Sequence, residues 1–164
     1  MMRQPMQLFK TIASRPVQGF FLCGKDKALM ARIQTIFANQ YPEFRILPFV
    51  RVVPELMCVS DILITKAGGL TTSEALAMEL PMIILFPIPG QEFANRDYLV
   101  RSGAALSANN LKELGAGLDM LCQSPGRLAE MREATRRIRR PAAAEDAGLE
   151  VLRLIDERSR WTGE

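Results

Sequence analysis

Two short segments hold the residues best suited to chemistry. The first is Lys66-Ala67-Gly68-Gly69-Leu70-Thr71-Thr72-Ser73-Glu74-Ala75, directly after the apolar run Asp61-Ile62-Leu63-Ile64-Thr65. A buried strand that ends in a double glycine and turns into a helix points unpaired first-turn N–H groups outward, where the helix dipole favours an anion. Donors so placed can hold a phosphate, and glycines let a diphosphate approach the backbone. The same pattern also serves as a tight strand-to-helix turn that binds nothing. Glu74 has two readings as well. Thr71-Thr72-Ser73-Glu74 matches a capping box in which Glu74 accepts from the Thr71 N–H; a carboxylate there could instead accept both hydroxyls of a ribose.

The second segment, Pro87-Ile88-Pro89-Gly90-Gln91-Glu92 with Asn95 one turn on, follows the neighbouring apolar run and offers amide and carboxylate groups at the same sheet edge. Such groups suit sugar hydroxyls, which both donate and accept. A proline turn with a helix cap is the plainer reading. Two polar loops on one edge favour a ligand more than either would alone. The chain has no histidine, which excludes histidine-based triads, a histidine general base and the usual zinc sites. Chemistry here must rest on carboxylates, hydroxyls, amides and backbone dipoles, and no metal site is expected.

The elements that must position these loops follow from periodicity. Apolar runs alternate with helix-period stretches, the pattern of a parallel sheet covered by helices on both faces. Strands are expected at 19–23, 44–50, 61–65, 81–86 and 103–106. Helices are expected at 27–40, where Leu29, Met30, Ile33, Ile36 and Phe37 form a stripe, at 54–58 behind Pro54, at 71–79 and at 91–101. Two further helices follow, and Pro141 breaks them from a last amphipathic helix ending near Glu157. The stretch 6–13 has helical character with no strand before it. A doubly wound sheet opens with a strand, a ligand-facing loop and then such a helix, so the domain reads as beginning one strand late. No internal repeat or linker divides the chain, and residues 1–164 read as one domain.

The bulk properties agree. A chain of 164 residues with 48% hydrophobic and 24% charged residues suits one globular domain. A formal charge of +3 is compatible with anionic ligands or lipid surfaces without requiring either; nucleic acid is not an expected partner. No apolar stretch is long enough to span a membrane, and Met1-Met2-Arg3-Gln4-Pro5 lacks the apolar run of a secretory signal. Three scattered cysteines, Cys23, Cys58 and Cys122, do not suggest a disulfide framework and point to a reducing cytoplasm. Cys23 and Cys58 read as small core residues. The basic stretch Arg127, Arg132, Arg136, Arg137, Arg139 and Arg140 is either a solvated helix face, with Leu128, Met131 and Ile138 turned to the core, or a patch for peripheral contact with a membrane.

The run Lys66 to Ala75, then Leu80-Pro81, then Pro87 to Glu92 with Asn95, resembles the monogalactosyldiacylglycerol synthase and processive diacylglycerol glucosyltransferase group, relatives of the N-acetylglucosaminyltransferase that makes lipid II. The match extends more loosely from Cys23-Gly24-Lys25 through Phe49-Val50 to Gly103-Ala104-Ala105. The resemblance implies a GT-B fold of two Rossmann-like domains, this chain being the C-terminal, donor-binding one. It places Phe49 and Val50 near the uracil of a UDP-sugar, Gly68, Gly69, Leu70 and Thr71 around the diphosphate, Glu74 on the ribose, and Gln91 with Glu92 at the hexose, with Pro89, Gly90 and Asn95 also among the donor-binding residues. The implied reaction is inverting, metal-free transfer of a hexose to a lipid such as diacylglycerol, with no cofactor beyond the donor.

Two departures from the family pattern stand out. The acceptor-binding N-terminal domain with its catalytic base is absent, so no catalytic residue is expected in this chain and the acceptor surface must come from a missing domain or a separate subunit. The first strand and glycine-rich loop of the donor domain are absent too, and Ala67 stands where a proline is common. A non-catalytic nucleotide-sugar-binding subunit and half of a nucleotide-sugar epimerase are the competing classes; the Pro89-Gly90-Gln91-Glu92 loop favours a transferase over an epimerase.

Overall fold

The computed structural model describes residues 5–37, 39–86 and 90–161. Helices α1 (Pro5–Ala13) and α2 (Lys27–Phe37) flank strand β1 (Gly19–Leu22); β2 (Phe44–Leu47) and the short α3 (Val53–Cys58) lead to β3 (Leu63–Thr65). Then come α4 (Gly69–Ala77), β4 (Met82–Leu85), α5 (Gln91–Arg101) and β5 (Ala105–Ala108). Helices α6 (Leu111–Gln123), α7 (Pro125–Ile138) and α8 (Ala143–Trp161) close the order. All strand pairings are parallel, as alternating strands and helices require.

Helices cover two faces. On one, Leu8, Phe9 and Ala13 of α1, Ile33 of α2 and Leu114, Leu118 and Leu121 of α6 meet Phe21, Cys23, Ile83 and Leu85. Phe9 anchors this side, with ring centroids 5.3 Å from Phe21 and Phe37, 5.4 Å from Phe44 and 6.0 Å from Tyr41. On the other face, Met57 of α3, Ala75 of α4 and Leu99 of α5 pack with Leu80 on Met82, Ile84 and Ala105. The alternation along β4 therefore feeds both cores, and all four of its residues are buried.

The pairings form two sheets, β1-β2 and β3-β4-β5, where periodicity implied one. Element bounds also shift for identifiable reasons. Strand β2 stops at Leu47 because Pro48 has no N–H for a ladder. Helix α2 ends at Phe37, short of the expected Gln40. Strand β5 begins at Ala105, two residues later than expected: Gly103 takes φ +79° and the Ala104 N–H donates to Leu99 O (3.0 Å), so these residues complete the turn out of α5.

Cys23 is buried as expected, and burial followed by the charge of Asp26 pushes its thiol up from the ordinary value. Cys58 corrects the core reading: it lies on the exposed side of α3, its Sγ 3.4 Å from Met78 Sδ. All three cysteines are free. Among the described residues no helix is long and apolar enough to cross a membrane. Met131 of α7 is buried, as its place in the arginine stretch required. Arg136 and Arg139 both pair with Glu79 (2.5 and 2.6 Å), Arg132 reaches Asp61 and Arg127 reaches Glu130. Arg136 and Arg139 thus tie α7 to Glu79 in the turn after α4.

Candidate functional site

Helix α4 starts directly at the carboxyl end of β3. Gly68 is its N-cap residue, with φ −70° and ψ 133°, and no side chain caps the helix. This corrects the capping-box reading. Thr71 lies inside the first turn instead of at the cap, because the N-cap is Gly68, three residues before the position the Thr-Thr-Ser-Glu pattern suggested. Thr72 supplies the local fastening. Its N–H donates to Gly68 O at 3.0 Å, and its Oγ donates to Gly68 O (2.9 Å) and Gly69 O (3.1 Å). The Thr72 side chain is buried, and such bonding back into the preceding turn is a hydroxyl habit the sequence signals only weakly. The N–H groups of Gly69, Leu70 and Thr71 remain the unpaired donors of the first turn, pointing off the sheet edge with the positive end of the helix dipole.

Neither glycine is demanded by the fold. Gly68 and Gly69 have no positive φ, and a Cβ on either would meet nothing within 4 Å. Glycine is a favoured N-cap residue, the position Gly68 holds, and the two glycines leave the backbone at this helix start accessible. Leu70 beside them is 85% exposed. One turn on, the Glu74 carboxylate is exposed and accepts no hydrogen bond or ion pair among the described residues. It is available to a ligand, and with its capping role gone nothing internal competes for it.

Gly90 precedes α5 with φ +108° and ψ −135°, a conformation reserved to glycine, and its carbonyl accepts from the N–H groups of Phe93 and Ala94. Gln91 is exposed on the first turn and Glu92 is half-buried. Pro89 lies outside the described residues. Asn95 joins the two loops: its side-chain amide donates to Ala67 O at 2.9 Å, across 28 positions of sequence. Ala67 is fully buried. The Asn95 Nδ2 group thus sets the α4 start and the α5 start side by side, a strut not expected from its sequence reading as a sugar contact. Below it, the Arg96 guanidinium stacks over Phe93 at 4.4 Å and pairs with Asp97. Phe49, 61% exposed, and half-buried Val50 follow β2 at the carboxyl edge.

All of these residues follow the carboxyl ends of parallel strands, the edge at which open α/β sheets bind ligands. The structure brings Gly68 to Glu74 and Gly90 to Asn95 into one group through the Asn95–Ala67 bond. Phe49 and Val50 stand on the β1-β2 side of the same edge. Two shallow grooves, one along α7 at Gly103, Arg127 and Ala134 and one beside α1 at Lys10, Ser14 and Arg15, include none of these residues. No cluster of three or more His, Cys, Asp or Glu able to hold a metal occurs among the described residues.

Residues 4–147 match the family model described as the glycosyltransferase family 28 C-terminal domain. The chain is 35% identical over 140 residues to a processive diacylglycerol beta-glucosyltransferase of Bacillus cereus (strain AH187), covering 85% of this chain and 36% of that protein. The like-named protein of Bacillus thuringiensis (strain Al Hakam) is 34% identical over the same length. The chain therefore spans little more than a third of the length of these relatives. Among solved structures, MurG of Acinetobacter baumannii superposes with a TM-score of 0.71 at 21% identity, covering 95% of this chain and 45% of that one. SnogD of Streptomyces nogalater gives 0.62 at 23% identity, covering 88% and 38%. The fold is that of one Rossmann-like domain of the GT-B glycosyltransferases.

Proposed function

This chain belongs to glycosyltransferase family 28, as a C-terminal domain of that family, and from that premise we propose that it binds the UDP-hexose donor of a lipid-directed hexosyltransferase. The observation that carries the reading is the pair Gly68-Gly69 at an uncapped helix start, glycine where neither packing nor backbone conformation asks for it. The first-turn N–H groups of α4 hold the diphosphate, and the open carboxylate of Glu74 accepts the ribose hydroxyls. Backbone atoms of Phe49 and Val50 face the uracil; Gly90, Gln91 and Glu92 face the hexose, with Asn95 fixing that loop to the other.

In the transfer the bond between the anomeric carbon and the diphosphate oxygen breaks while an acceptor hydroxyl attacks from the opposite face, inverting the centre. Charge gathers on the departing diphosphate, and oriented N–H dipoles at α4 stabilise it without a metal ion. The base that takes the acceptor proton, and the surface that holds a lipid such as diacylglycerol, belong to a further domain or subunit; no residue of this chain is assigned either role. Acceptor chemistry of this kind places the complete assembly at the cytoplasmic face of a membrane, in peripheral contact.

The test exploits the empty space at Gly69. Gly69→Val introduces branched carbon where no protein atom stands, and valine is no worse than glycine in a helix. The expected result is an unchanged or higher Tm with UDP affinity, by titration calorimetry, reduced tenfold or more, about 1.4 kcal/mol. The wild-type affinity should survive a chelator. Unchanged UDP binding in Gly69→Val would refute the diphosphate assignment, and a large loss on chelation would refute the metal-free one.

A further inference from the structure

Cations that leave full solvent in this fold take a carboxylate with them, with one exception. Among the described residues Arg15, Lys66, Arg96 and Arg132 are the half-buried cations. Arg15 pairs with Asp119 (2.7 Å), Arg96 with Asp97 (2.6 Å) and Arg132 with Asp61 (3.5 Å). Lys66 has no hydrogen bond or ion pair to any described residue. A charge drawn from water without a partner is unfavourable. A lysine eases this by burying its stem and keeping its ammonium wet, which accounts for the stem but not for the place. Lys66 stands at the carboxyl end of β3, directly before Ala67, Gly68 and Gly69.

The backbone that carries it is held firmly. Asn95 Nδ2 donates to Ala67 O (2.9 Å), and Ala67 is fully buried. Leu63 and Ala67 pack into the cluster beneath α4 and α5, whereas Ile62 and Ile64 pack into the other. Alternation along the strand puts Lys66 on the Ile64 side, so its side chain leaves the sheet edge on the face opposite α4. An anion seated before the first turn of α4 meets N–H groups from one face. From the other it meets an ammonium on a flexible four-carbon stem. Charge balance favours such a partner. The dipole of α4 supplies roughly half an elementary charge, whereas a sugar-linked diphosphate carries a full negative charge on each phosphoryl group.

We propose that Lys66 is the cation of the donor site, its ammonium paired with the diphosphate of the UDP-hexose, an assignment that rests on the donor reading above. In the transfer the bond between the anomeric carbon and the diphosphate oxygen breaks, and its electron pair stays on that oxygen. Lys66 is protonated before and after and gives up no proton. Its charge opposes the charge added to the departing UDP, together with the N–H groups of α4. Glu74, exposed on the next turn of α4, is not paired with Lys66. The carboxylate and the ammonium are therefore both open to one ligand, the first for ribose hydroxyls and the second for phosphoryl oxygens.

Titration calorimetry with UDP tests this on the 164-residue chain and three variants. Lys66→Met keeps an unbranched stem and deletes the charge. It should weaken UDP binding about tenfold or more, flatten the dependence of affinity on salt and leave Tm unchanged. Lys66→Arg keeps the charge and should stay within about fivefold of wild type. Lys10→Met removes an equal charge from the exposed last turn of α1, which leads to the amino end of β1, and should leave UDP affinity within about twofold. Full UDP affinity in Lys66→Met, where Gly69→Val loses it, overturns the lysine assignment and leaves the donor reading in place. Equal losses in Lys66→Met and Lys10→Met also overturn it, since net charge alone would then be responsible. A wild-type chain that binds no UDP overturns the donor reading and the lysine assignment together.

Discussion

The β3-β4-β5 half and the β1-β2 half are built from similar apolar runs but finished to different degrees. In the first, every residue of β4 is buried, with Ile83 and Leu85 facing one helix layer and Met82 and Ile84 the other. In the second, Phe21 of β1 is buried against Phe9 while Phe20 and Leu22 on the reverse side stay exposed. The loops assigned to the diphosphate, ribose and hexose follow β3 and β4. The complete half can thus hold its loops in place by its own packing, whereas Phe49 and Val50 hang on a half with one covered face.

Core truncation should separate the halves most. Ile84→Ala removes a fully buried side chain and should cost about 2–5 kcal/mol. Leu22→Ala removes a side chain of the same size from an open face and should stay within about 1 kcal/mol. Urea unfolding at constant m-value measures both. Equal losses would mean that the outer side of β1 is covered in solution and the contrast between halves is false.

A second contrast lies between carboxylates. Glu113 is saturated: it accepts from the Asn109 N–H (2.8 Å) and from the side-chain amides of Asn109 and Asn110. The Glu74 carboxylate accepts nothing among the described residues. Hydrogen bonds to a charged group contribute about 1.5–3 kcal/mol each, so Glu74→Gln should weaken UDP binding by about tenfold to a hundredfold with Tm unchanged. The loss should disappear with a nucleotide lacking both ribose hydroxyls. Calorimetry showing full UDP affinity in Glu74→Gln would remove this residue from the site while leaving the glycine pair in place.

The strut between the two loops should show a smaller effect. Asn95→Ala leaves the Ala67 carbonyl without its partner and should cost about 1–3 kcal/mol of stability. Because it displaces one loop relative to the other, it should weaken UDP-hexose more than UDP. Gln91→Ala, on the exposed first turn of α5, should spare stability and UDP alike and lower only UDP-hexose affinity. If Gln91→Ala weakens UDP equally, the α5 loop faces the nucleotide and not the sugar.

Much of this was legible in sequence because it depends on local signals. Continuous apolar runs such as Met82-Ile83-Ile84-Leu85 announce buried parallel strands, and the double glycine announces the turn at α4. What sequence left open depends on geometry at longer range. The Thr-x-x-Glu pattern at Thr71 reads as a cap, yet Gly68 already starts the helix, and no spacing rule distinguishes the two. The working capping box, Asn110 with Glu113, carries asparagine where the threonine pattern drew attention first. The structural bond of Asn95 was not legible, because an amide at a loop edge has no sequence mark for a partner 28 positions away.

Acid should probe that capping box with the finest resolution. The Asn109 N–H bond, opposed by desolvation and helped by the Asn109 and Asn110 side-chain bonds, holds the Glu113 carboxyl below its ordinary value. A group whose pKa is lower folded than unfolded contributes stability that is fully present above the unfolded value, about 4.3 for glutamate. That contribution is lost as pH falls through the depressed folded value. Glu79, lowered chiefly by its bond from Arg136, acts in the same direction and window. The expected outcome is therefore a Tm for Glu113→Ala below wild type at neutral pH, with the gap narrowing as the pH drops below about 4. A Glu79→Ala background should leave that narrowing in place, because Glu113 is held by Asn109 and Asn110 and Glu79 by Arg136 and Arg139, with no partner in common among these bonds. A gap that stays constant from neutral to acid pH would show that Glu113 contributes through packing of its methylenes and not through the charge it presents to the start of α6.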